Sequence, residues 1–225
     1  MHPENRLAHN WLIKKLVNDK VRAHLSELRG TVVDLGCGTR PYEADILAHA
    51  QRYVGVDWHK TLHGLRADVA ADVSRPLPLR SGSADGVVAF EVLEHLAEPA
   101  VMLGEAHRVL APGGVLLLSV PFQWWVHEEP HDFYRFTRFG LAYLLGKAGF
   151  ERVDIRPTSG FWSMWVLKLN YQTARLVRGP RPLRWVLRAL LIPFWWLGQV
   201  LAPLLDRVWR EERETAGYFV VARKP

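Results

Sequence analysis

The chain of 225 residues contains a single cysteine, Cys37, so no internal disulfide can brace it, which fits a reducing compartment. The sequence lacks a compact apolar run behind the first charges, and no signal peptide is expected. Internal repeats and low-complexity tracts are missing, which excludes solenoids and extended linkers. Acidic residues are scarce in one place. Between residues 161 and 210 eight basic side chains face a single acid, Asp206. With a net charge of +6, the rest of the chain therefore carries about −1. A near-neutral remainder offers no basic track for a nucleic acid, and that partner is not expected.

The chain is long enough for one domain with an elaboration. Residues 31–40, TVVDLGCGTR, predict a buried strand, a glycine turn and a helix start. Gly36 and Gly38 allow a sharp turn and the close approach of bare amides to a ligand. Cys37 between them reads as a small residue in a crowded turn rather than a reactive thiol. About 20 residues on, 53–57 predict a second strand ending at Asp57, where a nucleotide-binding unit places a carboxylate for ribose hydroxyls. Further strands are expected over 65–71, 85–90, 115–121, 151–156 and 218–222. Helices are expected over 5–28, 42–50, 98–110 and 137–148, the last capped by Thr137 and ended by Gly149. Residues 122–136 read as a loop rich in aromatics, histidines and acids.

Four motifs in order, DLGCG, YVGVD, ADV before PLPLRSGSADGVV, and EVLEH followed by RVLAPGG, resemble the class I S-adenosylmethionine-dependent methyltransferases of the small-molecule type. The resemblance covers roughly residues 28–156 and a closing strand at 217–223. A dinucleotide dehydrogenase would carry a third glycine, GxGxxG, that is absent here. Arg40 departs from the methyltransferase pattern, which usually has glycine at that place. The resemblance implies an α/β, Rossmann-like, doubly wound sheet of seven mostly parallel strands with an antiparallel last strand. It implies S-adenosylmethionine as cofactor, held by Asp34, Gly36, Cys37, Gly38, Asp57, Trp58, Asp72, Val73 and Glu91. Asp72 would accept the adenine amino group and Val73 donate its amide, while Trp58 would pack on the adenine face. The competing reading of Asp72 is a turn cap.

For acceptor chemistry the same resemblance points to His131, His127, Glu91 and His95. The set His127, Glu128, Glu129, His131 and Asp132 is dense in candidate bases. Glu91, Glu94 and His95, closed by His131, match ligand sets that bind a divalent ion in certain O-methyltransferases, with Mg, Mn or Zn as the ions such donors suit. The competing reading, from relatives that bind no metal, has Glu94 and His95 capping the next helix or packing beside the cofactor. HEEPHDFYRFT resembles methyltransferases of bacterial surface-polysaccharide and glycolipid pathways, which implies a hydroxyl on a small-molecule, glycan or lipid-linked acceptor. The alternatives are an RNA methyltransferase and a non-catalytic, membrane-bound partner protein with the same fold.

The expected layout is an N-terminal helical segment (1–30), a methyltransferase domain (31–159 and 213–225) and an apolar, basic helical insertion (160–212). The insertion holds six of the ten tryptophans. A membrane-surface contact, a lid over the acceptor pocket and a homodimer face are its three readings, the first being favoured. That places the protein in the cytoplasm, peripheral on the inner face of the membrane.

Overall fold

A computed structural model describes residues 1–58 and 66–225. Its centre is a seven-stranded sheet in the order β3-β2-β1-β4-β5-β7-β6. The strands are β1 (Thr31–Leu35), β2 (Arg52–Asp57), β3 (Val69–Ala70), β4 (Ala84–Phe90), β5 (Leu110–Pro121), β6 (Glu151–Pro157) and β7 (Gly217–Arg223). The first five run parallel, and β7 pairs antiparallel with both β5 and β6. Residue 65, where the expected third strand began, lies outside the described residues, and the pairing that forms is two residues long.

Strand residues alternate between the faces. Val33, Val87 and Leu116 meet α3 (Pro99–Val109) and α4 (Arg138–Lys147) on one side. Val32, Val88 and Leu117 meet α1 (Trp11–His24) and α2 (Glu43–Leu47) on the other. Covered on both faces, the central strands read as continuous apolar runs. Thr137 caps α4 by accepting the Gly140 amide at 3.1 Å.

Two expected helices are shorter in the structure. Residues 5–10 stay outside α1 as two single turns, Ala8 donating to the Asn5 carbonyl and Trp11 to the Ala8 carbonyl, with the Ala8 and His9 carbonyls also accepting from Gln199 and Asn170. The helix expected over 42–50 narrows to α2, after which the Ala48 and Ala50 amides still donate back to the Ala44 and Ile46 carbonyls in a closing turn before Gln51 and Arg52 donate to the Gly30 carbonyl and start β2.

Residues 161–208 form an antiparallel hairpin of α5 (Phe161–Ala174) and α6 (Arg181–Val208). The Asp206 carboxylate accepts the amides of Trp162 at 2.9 Å and of Gly160 and Ser163 at 3.2 Å, which caps the start of α5 from a neighbouring helix. At the other end Trp195 Nε1 donates to Thr173 Oγ1 at 2.8 Å. Gln199, 1% exposed, accepts the Leu12 amide at 2.8 Å and donates to the Ala8 carbonyl at 3.0 Å, fastening the hairpin to the start of α1.

Replacing Asp206 with alanine removes that cap. The expected cost is about 1–2 kcal/mol, read as a lower midpoint in urea unfolding.

Candidate active site

A cavity of about 820 Å³ opens along the C-terminal ends of β1, β2, β4 and β5. Small-molecule sites commonly span roughly 300–1,000 Å³, so this one has room for two reactants. It lies where the connections leaving β1 and β4 diverge to opposite faces, the position at which open parallel sheets bind ligands.

The glycine turn forms its floor. Gly36 has φ +74°, and a Cβ there would stand 2.5 Å from Val92 Cγ2, so only glycine fits. The amides of Gly36 and Cys37 donate to the Val56 carbonyl at 2.8 and 3.2 Å. Asp57 then binds the turn from β2, its Oδ2 accepting the Gly38 amide at 2.7 Å and its Oδ1 the Trp58 amide at 2.8 Å. Arg40 takes a left-handed backbone, φ 59°, the conformation a glycine would adopt freely. Its guanidinium is tied down by Asp68 and by Glu43 at 3.1 Å, and lies over the Tyr53 ring. Those contacts hold the loop on its path without the usual glycine.

Asp34 is buried, with the Tyr53 hydroxyl donating to it. Burial pushes its carboxyl up to about 7; the Tyr53 hydrogen bond opposes the shift and the Asp57 charge adds to it. Burial also pushes the Cys37 thiol up to about 12, in keeping with a packing role. Asp72 and Val73 line the cavity wall beside Trp58. Asp72 Oδ1 meanwhile accepts the Ser74 amide at 2.9 Å and hydroxyl at 2.6 Å, so it caps its own turn as well.

Past β4 the structure departs from the expected metal set. Glu91 has φ 56° and turns toward β5, where Ser119 Oγ donates to its Oε1 at 2.7 Å. The helical turn starts only at Leu93, so Glu91 does not share a face with Glu94 and His95. His131 is not the closing ligand either. Its carbonyl accepts His95 Nδ1–H at 2.9 Å, and its ring stands edge-on to Trp58. His127 comes in instead: ligand atoms of Glu94, His95 and His127 all lie within 4.8 Å of one another. Glu94 is fully buried, and neither carboxylate oxygen has a hydrogen-bond partner. Burial, and after it the Glu91 charge, raises the Glu94 carboxyl well above the ordinary range.

His127 also belongs to a second arrangement. Asp132 Oδ2 accepts the His127 amide at 2.7 Å and lies 3.2 Å from its Nδ1, while Arg135 grips both Asp132 oxygens at 2.6 and 2.7 Å. With Nδ1–H assigned to Asp132, Nε2 is the acceptor. Burial lowers the His127 pKa, with Asp132 opposing, so the ring is neutral near pH 7. Sequence reading missed Arg135 and Ser119. Aspartate and arginine three residues apart were the available signal for Arg135; Ser119 sits inside an apolar strand and gave none.

Comparison with known proteins fits this geometry. A family profile described as "Methyltransferase domain" matches residues 33–118. A relative from Mycolicibacterium smegmatis, named "Probable S-adenosylmethionine-dependent methyltransferase", is 40% identical over 97 residues, 40% of this chain. The match spans only 37% of that relative's length. A ubiquinone biosynthesis O-methyltransferase of Pseudomonas paraeruginosa is 29% identical over 72% of this chain and 71% of its own. The crystal structure of an S-adenosylmethionine-dependent methyltransferase from Archaeoglobus fulgidus superposes with a TM-score of 0.60 over 94% of each chain, at 17% identity.

The Asp34 carboxyl gives a pH signature. Its pKa in the folded chain lies above the unfolded value, so its contribution is fully present below about pH 4 and is lost as pH rises to about 7. Asp34→Asn abolishes that slope. Relative to the unchanged protein, the variant is expected to gain roughly 4 kcal/mol between pH 4 and 8, at about 1.4 kcal/mol per pH unit. Urea unfolding at the two pH values measures it.

Proposed function

We propose, on the premise that the chain belongs to the class I S-adenosylmethionine-dependent methyltransferases, that it methylates a hydroxyl on a hydrophobic, glycan or lipid-linked acceptor with His127 as the base. S-adenosylmethionine supplies a methyl group on a sulfonium centre, open to in-line displacement. The proposed cofactor side is the wall built by Asp34, Gly36, Cys37, Gly38, Asp57, Trp58, Asp72 and Val73. Glu91, which lines the same cavity, would border both reactants. The acceptor would lie under the residues of the 122–136 loop, against Phe133 and His131.

The observation that carries this reading is the Asp132–His127 pair. Asp132, 1% exposed in its side chain, fixes the imidazole so that Nε2 takes the hydroxyl proton as the oxygen attacks. Aromatic rings on the cavity wall, Trp58, Phe90, Trp124, Phe133 and Tyr171, favour an acceptor with an apolar part. The relationship to ubiquinone biosynthesis O-methyltransferases supports an oxygen nucleophile.

A second reading rests on Glu94. A buried carboxylate with no hydrogen bond to either oxygen, its Oε1 3.6 Å from His95 Nε2, is a costly arrangement that a cation would relieve. Glu94, His95 and His127 are the residues that would hold a divalent ion, whose chemistry there is to lower the pKa of a bound hydroxyl. Mixed carboxylate and imidazole donors suit Mg, Mn or Zn.

One experiment separates the two. Under the base reading, His127→Ala lowers kcat by about 10²–10⁴, chelator leaves the unmodified enzyme active, and activity falls as pH drops through a pKa below the usual 6.5 of histidine. Loss of activity with chelator and recovery with Mn²⁺ would replace the base by the cation. Full activity in both the His127→Ala variant and chelator would sink both readings.

A further inference from the structure

The helix α6 is half unsupported. Trp195, Gln199 and Ala202 are buried, but none of residues 181–194 is. Thr173, near the end of α5, is level with Trp195, so the first half of α6 runs on past its partner helix by about 20 Å, at 1.5 Å per residue. A free two-to-four-turn helix is marginal in water.

Along its outer side, Leu183, Val186, Leu190, Phe194, Leu197, Leu201 and Val208 follow helical spacing, and each is between 44% and 88% exposed. This stripe is about 38 Å long. Trp185 and Trp209, 75% and 70% exposed, stand near its two ends. Arg181, Arg184 and Arg188 share the other side of the projecting half, with Arg175 and Arg178 in the preceding loop. Among the described residues none of the five forms an ion pair. The only acid in α6, Asp206, is engaged in capping α5.

We propose that α6 is an in-plane membrane anchor that seats the protein on an anionic lipid surface through the stripe from Leu183 to Val208. The charge selects the occupant. A second copy packed on the stripe would leave the arginines of the other side without counter-charge, whereas anionic headgroups flanking a helix that lies in the surface complement them. Tryptophans near both ends of the stripe suit the headgroup level. In length and composition α6 could also cross a bilayer. Crossing would strip Gln199 from its bonds to Leu12 and Ala8 and carry Arg184 and Arg188 into hydrocarbon. Lying in the plane keeps the packed face of α6 on the protein. Tyr171, on the cavity wall, is one turn before Arg175, whose guanidinium lies over Trp125, so the anchor begins at the rim of the acceptor cavity. The anchor does not depend on which acceptor the cavity takes.

The test uses the full chain with phosphatidylglycerol–phosphatidylcholine vesicles and with phosphatidylcholine alone. Sedimentation is expected with the anionic vesicles and should weaken with salt. Leu190→Glu combined with Leu201→Glu alters only exposed positions. It should weaken vesicle binding on the order of tenfold or more while S-adenosylmethionine binding and the melting temperature hold. Orientation is read from Leu183→Cys, Phe194→Cys and Leu204→Cys, each carrying an environment-sensitive dye. Native Cys37 is buried, and its thiol is pushed up to about 12, so it stays unlabelled. Equal shallow depths at all three positions support the in-plane anchor, and a depth gradient overturns it. It is overturned equally by no sedimentation, by glutamate variants that bind as well as the parent, by a vesicle-free dimer that the glutamates dissolve, or by salt-sensitive RNA binding in place of lipid binding.

Discussion

One carboxylate organises the floor of the site. Asp57 ends β2 and receives the Gly38 amide from the turn after β1 and the Trp58 amide from its own strand end. Two neighbouring strands are thereby latched at their C-terminal edge, where side chains must be held to a fraction of an ångström for a small ligand to be gripped. The Val56 carbonyl, taking the Gly36 and Cys37 amides, completes the latch from the residue before. A buried carboxylate bound to backbone amides is among the stronger hydrogen-bonded arrangements a loop can have. The turn's tolerance of Arg40 in a left-handed conformation follows from it, since the loop is fixed from both sides before the arginine side chain adds its own contacts.

The sheet was legible because its strands are buried on both faces and announce themselves as apolar runs, and because the glycine turn and Asp57 fall at intervals a parallel unit requires. The wall proposed to hold the cofactor was legible as a cavity lining for the same reason: its residues sit next to strand ends. The acceptor side was less so. Whether Glu91 joins Glu94 and His95 depends on where one turn of helix begins, and a left-handed Glu91 delays that start by two residues. Whether His127 or His131 reaches the cluster depends on a loop whose shape is fixed by the Asp132–Arg135 pair, a side-chain contact that carries no periodic signal. Composition could mark 160–212 as apolar and basic, but the register of α5 on α6, and so the unsupported half of α6, is set by the single contacts of Asp206 and Trp195.

The acids of the cavity and the arginines of the hairpin are kept apart within the molecule. The cavity holds a tight group of acids and imidazoles in which burial drives Asp34, Glu91, Glu94 and His127 toward their neutral forms while Arg135 keeps Asp132 charged, and five arginines without ion pairs among the described residues collect on the hairpin outside it. Such a division leaves His127, the proposed base, to the charges around it, Asp132 raising its pKa and His95 and Arg135 lowering it. It also gives the hairpin a chemistry independent of the reaction, so the acceptor range and the surface contact can change separately.

The grip of Gln199 on Ala8 and Leu12 joins residues 191 and 187 positions apart. On a ribosome adding about 5–20 residues per second, the beginning of the chain waits roughly 10–40 s for that partner. Until then α1, which walls one side of the cavity, has no fixed start. The pocket is finished by the last helix to be made, so a nascent chain that already has its glycine turn and Asp57 still lacks a closed vessel for a reactive methyl donor.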